Sequence, residues 1–175
     1  MAVEHDRRGS SPTPHGARRN DESFKTAEVS PSVSLMGERL FYLDDTPLLV
    51  KTADMMCKKL GVDCSSLVHE GQSVDVIISA IRMANPTIFV LDFSLAHGLK
   101  SPELVHAMIE HHPELLRDMG AVFSSSEVGD SHFEDALLEI NQKLQTIGHR
   151  PAVALAKPHL VAGLRSVFRE SRHDT

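Results

Sequence analysis

TIFVLDFSL, residues 87–95, sets four consecutive apolar side chains, Ile88 to Leu91, directly against a carboxylate at Asp92. A short apolar run without alternation is what a strand covered on both faces looks like. The carboxylate at its end is hard to explain by packing, because acidic side chains are seldom set beside a core without a task. The same texture recurs on either side. Leu40-Phe41-Tyr42-Leu43 runs into Asp44-Asp45, Ala121-Val122-Phe123 into Ser124-Ser125-Ser126, and Ala152 to Ala156 into Lys157-Pro158. A weaker strand spans roughly Asp63 to Val68.

Between these runs the apolar period changes from strand to helix. Pro47 stands at a helix start, Leu49, Ala53, Met56 and Leu60 follow at helical spacing, and Gly61 stops them. Val74, Ile77, Ile78 and Ile81 line a second helix closed by Pro86. Ser101-Pro102-Glu103 opens a third, with Leu104, Ala107 and Met108 inward. After a turn at Pro113 to Met119, Phe133, Leu137, Ile140, Leu144 and Ile147 mark a long fourth helix. Leu160, Val161, Leu164, Val167 and Phe168 mark a fifth. Strands alternating with helices imply right-handed crossovers and a parallel sheet covered on both faces. The expected fold is therefore α/β: a flavodoxin-like, doubly wound, five-stranded parallel sheet of order 2-1-3-4-5 with five helices.

Composition narrows the function classes. At 175 residues the chain holds one domain and a tail, and 41% hydrophobic residues suffice for a core. Residues 1 to 36 are rich in Ser, Pro, Gly and charge without an apolar period, and read as a disordered tail. Their basic side chains (Arg7, Arg8, Arg18, Arg19, Lys25) balance their acidic ones (Glu4, Asp6, Asp21, Glu22, Glu28). The formal charge of −6 thus belongs to the sequence after residue 36, nearly all of it to residues 37–172, the expected domain. An acidic domain has no electrostatic footprint for a nucleic-acid backbone, so direct nucleic-acid binding is disfavoured. No apolar run approaches the ~20 residues of a membrane helix, and no secretory signal opens the chain; no membrane insertion and a cytoplasmic location are expected. Cys57 and Cys64 are too few for a disulfide framework and read as reduced structural thiols.

In a parallel sheet every strand's C-terminal end lies on one edge, and ligands bind where the strand order reverses. Here that switch point falls between the strands ending in Asp44-Asp45 and in Asp92. Two carboxylates ~4 Å apart repel by roughly 4 kcal/mol at an effective dielectric near 20. Asp44, Asp45 and Asp92 therefore call for a cation, and an all-oxygen donor set suits Mg²⁺. Lys157 adds a mobile positive charge and Ser124 a hydroxyl. A cation, an ammonium and a hydroxyl around one carboxylate are what phosphoryl transfer to Asp92 needs. Each residue has an ordinary reading as well: Asp44-Asp45 as a helix N-terminus, Ser124 as a turn residue, Lys157 as a solvated loop lysine.

Taken together, LDDTP at 43–47, IFVLDFSL at 88–95, AVFSSS at 121–126 and ALAKP at 154–158 resemble the motifs of response-regulator receiver domains. The resemblance covers about residues 38–170. It implies that Asp45 binds Mg²⁺ directly and Asp44 through water, with Asp92 and the backbone carbonyl of Ser94 completing the protein ligands. It implies that Asp92 is the phosphoacceptor, that Ser124 bonds the phosphoryl oxygen, and that Lys157 pairs with Asp92 and then with its phosphate. It further implies a histidine kinase or histidine phosphotransfer protein as donor and a downstream protein target reached by contact.

Three positions depart from that pattern. Ala96 stands where the family usually has Pro, with one extra residue before Ser101. Ala154 stands where it usually has an aromatic ring. The stretch from Ser124 to Lys157 is longer than usual. None of these removes a reacting group; they bear on how a signal is displayed. With little sequence after Lys157, a stand-alone receiver is expected, either an intermediate in a phosphorelay or a switch acting by protein–protein contact. The alternatives are a receiver-like adaptor that signals without phosphate and a haloacid-dehalogenase-type phosphohydrolase, which wants an Asp where this chain has Thr46. His97, in the loop after Asp92, is a candidate contact to the phosphoryl pocket.

Overall fold

The computed structural model describes residues 37–117 and 119–157. The expected tail and the expected last helix lie outside them. Five strands form one parallel sheet in the order β2-β1-β3-β4-β5: β1 Arg39–Asp44, β2 Asp63–Val68, β3 Ile88–Asp92, β4 Gly120–Ser125 and β5 Val153–Ala156. The connecting helices are α1 Pro47–Leu60, α2 Val74–Ala84, α3 Ser101–His111, a one-turn α4 Pro113–Leu116 and α5 Ser131–Thr146. The helix expected through Ile147 is α5, and the turn expected at Pro113 to Met119 contains α4.

Strand periodicity sorts the core into two layers. Phe41, Leu43, Phe89, Leu91, Ala121 and Phe123 face one side, packed against Ile77, Ile78 and Ile81 of α2, Leu104 and Met108 of α3, and Phe133, Ile140 and Leu144 of α5. Leu40, Tyr42, Ile88, Val90 and Val122 face the other, packed against Val50, Ala53 and Cys57 of α1. Every residue of β3 is buried, as a strand covered on both faces must be. Each fully buried Leu, Ile or Phe contributes roughly 1.5–3 kcal/mol relative to exposure, which is what holds the sheet edge rigid.

Helix ends follow their sequence signals. Pro47 sits in the first turn of α1, and Gly61 caps its end at φ 68°, a left-handed conformation that suits a residue without Cβ. The amide of Val62 then returns to the Cys57 carbonyl and feeds β2. The last strand is one residue shorter than expected. Ala152 is removed from the ladder by Asn141, whose side-chain amide accepts from the Ala152 N–H (2.6 Å) and donates to its carbonyl (3.3 Å). Both cysteines are free thiols, and Cys64 Sγ lies 3.6 Å from Asp54 Oδ1.

Candidate functional site

The pleat decides which residues meet. Tyr42 and Asp44 share a face of β1, Val90 and Asp92 share that face of β3, and Val122 and Ser124 share it on β4. Tyr42 is in register with Val90, Val90 with Val122, and Asp92 with Ser124. Asp44, Asp92 and Ser124 thus form the top layer of one sheet face, with Tyr42, Val90 and Val122 beneath. Lys157 follows Leu155, the register partner of Ser124, by one pleat.

Carboxylate oxygens of Asp44, Asp45 and Asp92 all lie within 4.8 Å of one another. Asp44 and Asp92 are buried and Asp45 is half-buried. Lys157 bridges the two buried ones, with Nζ 2.8 Å from Asp92 Oδ2 and 3.3 Å from Asp44 Oδ2. Burial pushes the Asp92 carboxyl up to about 6, against the pull of Lys157, and the charges of Asp44 and Asp45 add to the rise. Burial works against the Lys157 ammonium too, but its hydrogen bond to Asp92 and the charges of both carboxylates hold its pKa above the ordinary lysine value.

The helix-terminus reading of Asp44-Asp45 does not describe what these carboxylates do. Asp44 Oδ1 accepts from the amide of Thr46 (2.8 Å), and Asp45 Oδ1 from the Thr46 hydroxyl (3.1 Å); α1 carries no side-chain cap. Both are held at the sheet edge, turned toward Asp92.

Ser124 is fully buried, and among the described residues its Oγ has no hydrogen-bond partner of ordinary geometry, although the Tyr42 hydroxyl is close enough to feel it. A buried hydroxyl left unpaired is costly, and such groups are rare outside working sites. The Ser124 carbonyl, by contrast, accepts from the Phe93 amide at 2.9 Å and ties β4 to the turn after Asp92.

The turn after Asp92 is closed by its own backbone bonds. Ser94 and Lys100 form an antiparallel bridge, made through Leu95 N–H to the Leu99 carbonyl and Ser101 N–H to the Phe93 carbonyl. The bridge leaves the carbonyl of Ser94 itself out of these bonds. Between its arms Ala96–Gly98 makes a single 3₁₀ turn, with φ positive at both His97 (59°) and Gly98 (80°). The His97 ring meets His69 edge-on at a centroid separation of 6.0 Å and lies over Gly71. Among the described residues no contact joins it to Asp92. His112 sits 3.1 Å from Arg82 and 3.6 Å from Glu114, in a surface charge cluster.

Two contributors escaped the sequence reading. Ser101, read only as a helix start, donates its hydroxyl to the Asp92 carbonyl and so clamps the end of β3 to α3. Tyr42, read only as a strand residue, donates its hydroxyl to Asp44 Oδ2 at 3.1 Å. Burial and then the charge of Asp44 push its phenol far above the ordinary tyrosine value, so it is a neutral donor. The available signal was its spacing: two residues before Asp44, hence on the same face.

No protein-family signature matches the chain, and no curated protein matches it. Solved structures do. The chain is similar to the receiver domain of response regulator 1452 from Francisella, at 14% identity and a TM-score of 0.53, over 77% of this chain and 99% of that one. It is similar to a response regulator receiver domain protein from Clostridium thermocellum, at 10% identity and a TM-score of 0.57, over 78% and 95%. It is also similar to the chemotaxis response regulator CheY4 of Vibrio cholerae, at 12% identity and a TM-score of 0.55, over 77% and 98%. The chain therefore has the fold of response-regulator receiver domains.

Proposed function

We propose that the chain is a phosphoacceptor receiver in which Asp92 takes a phosphoryl group from a phosphohistidine and passes the signal on by protein contact. One observation carries the reading: a single ammonium, Lys157, bridges Asp92 and Asp44 within a cluster of three carboxylates. A structural ion pair needs one carboxylate; three beside one lysine, the count among the described residues, leave negative charge that asks for a cation.

The residues fit Mg²⁺. The donor set is oxygen only, from Asp44, Asp45 and Asp92, and the Ser94 carbonyl takes no part in the two bonds of the Ser94–Lys100 bridge. When bound, the cation would neutralise charge on the oxygens of the transferring group. The rest falls to the chain itself. An Asp92 oxygen attacks phosphorus as the phosphorus–nitrogen bond to the donor imidazole breaks, and that nitrogen keeps the bonding pair and takes a proton. Lys157 follows the charge from the carboxylate to the new phosphoryl oxygens. Ser124, whose buried hydroxyl makes no hydrogen bond of ordinary geometry among the described residues, donates to one of them. Tyr42 holds the Asp44 carboxylate and Ser101 the Asp92 backbone carbonyl while this happens.

The donor would be a histidine kinase or a histidine phosphotransfer protein, and the receiver of the signal a downstream protein target. The cytoplasm is the compartment where both would meet this chain; among the described residues no helix is long and apolar enough to cross a membrane. Residues 1–36 would serve as a tail to a domain over 37–172.

The test is stoichiometry with a small phosphodonor. Phosphoramidate should place one hydroxylamine-labile phosphoryl group per chain, lost slowly, and p-nitrophenyl phosphate should not be turned over. Repeated turnover of p-nitrophenyl phosphate that depends on Asp92 would identify a phosphohydrolase instead.

A further inference from the structure

We propose that Tyr42 is a positioning residue for the cation site, its hydroxyl fixing the Asp44 carboxylate so that the cluster binds a divalent cation; this rests on the receiver reading above.

Tyr42 is the only tyrosine of the chain, fully buried in a strand whose other core positions are Leu and Phe. Its register partner Val90 and the next residue in that layer, Val122, are aliphatic. Packing alone would be met by another apolar side chain, and a phenol brings a polar group that must be satisfied. Its partner is a carboxylate of the site.

Asp44 receives three donors among the described residues. The Thr46 amide holds Oδ1 at 2.8 Å, while Tyr42 Oη at 3.1 Å and Lys157 Nζ at 3.3 Å share Oδ2. They differ in permanence. Lys157 is nearer to Asp92, at 2.8 Å, and will follow whatever charge appears there. The Tyr42 ring has two torsions, both packed inside the sheet, and its hydroxyl is neutral whatever happens at Asp92. A carboxylate has about four lone-pair positions, so these donors leave roughly one open. With the plane of the carboxylate fixed, that position stays with the Asp45 and Asp92 oxygens within 4.8 Å. A hydrogen bond from outside the ligand set that orients a liganding carboxylate is worth about 10- to 100-fold in metal affinity.

The plain alternative is a core tyrosine whose hydroxyl found the nearest acceptor. The two readings part on Tyr42→Phe, which keeps the ring and removes only the donor. Calorimetric titration of the full chain with MgCl₂ at pH 7.5 should show the dissociation constant rising about tenfold or more in Tyr42→Phe. Phosphorylation by acetyl phosphate should slow by the same factor at subsaturating Mg²⁺ and recover at saturation. The chain has no Trp, so the near-ultraviolet difference spectrum of the wild type reports Tyr42 nearly alone. It should shift on Mg²⁺ addition with the calorimetric midpoint, a readout that survives if the variant fails to fold. A folded Tyr42→Phe with unchanged Mg²⁺ affinity, or a wild-type spectrum indifferent to Mg²⁺ that calorimetry shows to be bound, overturns the role of Tyr42 and leaves the receiver reading standing. A wild type that binds no Mg²⁺ overturns both.

Discussion

Lys157 Nζ stands 2.8 Å from Asp92 Oδ2, and this ion pair does not bring Asp92 down to the ordinary carboxylate range, because burial outweighs it. The site is thus built against its own stability, and that has consequences that can be measured without any partner protein.

The folded Asp92 titrates at about 6, whereas an unfolded aspartate titrates near 3.9. Between those values the folded state binds more protons than the unfolded one, so stability is lost as pH rises from about 4 through 6. By about pH 7 the penalty is complete, on the order of 3 kcal/mol. Asp92→Asn, neutral at every pH, escapes it. In metal-free buffer at pH 7.5 the variant should be more stable than wild type by about 1–3 kcal/mol, and at pH 4 the two should nearly coincide. Urea denaturation at both pH values checks this; equal destabilisation at both would show that Asp92 is a structural carboxylate.

Lys157 lowers the Asp92 pKa against burial, so removing the ammonium should let it rise. Lys157→Met should move the midpoint above 6, readable as the carboxyl carbon shift of Asp92 across a pH titration. At pH 6.5 a larger share of Asp92 is then protonated and unreactive, and phosphorylation should slow. A midpoint that stays or falls would mean that the bridge does not govern Asp92.

Ser124 offers a test of opposite sign to most core substitutions. Its hydroxyl is buried without a hydrogen bond of ordinary geometry among the described residues, so Ser124→Ala should cost nothing or stabilise by up to ~1 kcal/mol. The response to the phosphoryl mimic beryllofluoride should suffer instead. In wild type, amide shifts should be large from Ser125 to Asp130, the loop into α5, and small from Val153 to Leu155. Ala154 has no ring to rearrange there. This is a population shift drawn by the bond that Ser124 makes. A Ser124→Ala chain that responds as fully as wild type, or the reverse distribution, would contradict it.

How much of this was legible beforehand depended on where each residue lies. Asp44, Asp92, Ser124 and Lys157 sit at the ends of apolar runs, so a one-dimensional pattern locates them, and parallel alternation brings the ends to one edge. β3 was the plainest of all, since four apolar residues in a row leave no helix period to confuse it. Tyr42 was hidden because its role depends on the pleat and on a hydroxyl reaching past its own layer. Ala152 left β5 through a side-chain bond from Asn141, eleven residues away, which no local propensity encodes. The loop after Asp92 was visible as a break between β3 and α3. Its outcome, a left-handed His97 turned onto His69 and Gly71, was not, because loop torsions depend on contacts distant in sequence.

The most direct measurement is the intact mass of the chain after acetyl phosphate and Mg²⁺, taken on wild type and on Asp92→Asn. Wild type should gain one phosphoryl group, EDTA should abolish the gain, and the variant should gain none. Wild type left unmodified under these conditions, or a variant modified to the same extent, would contradict the assignment of Asp92 as phosphoacceptor.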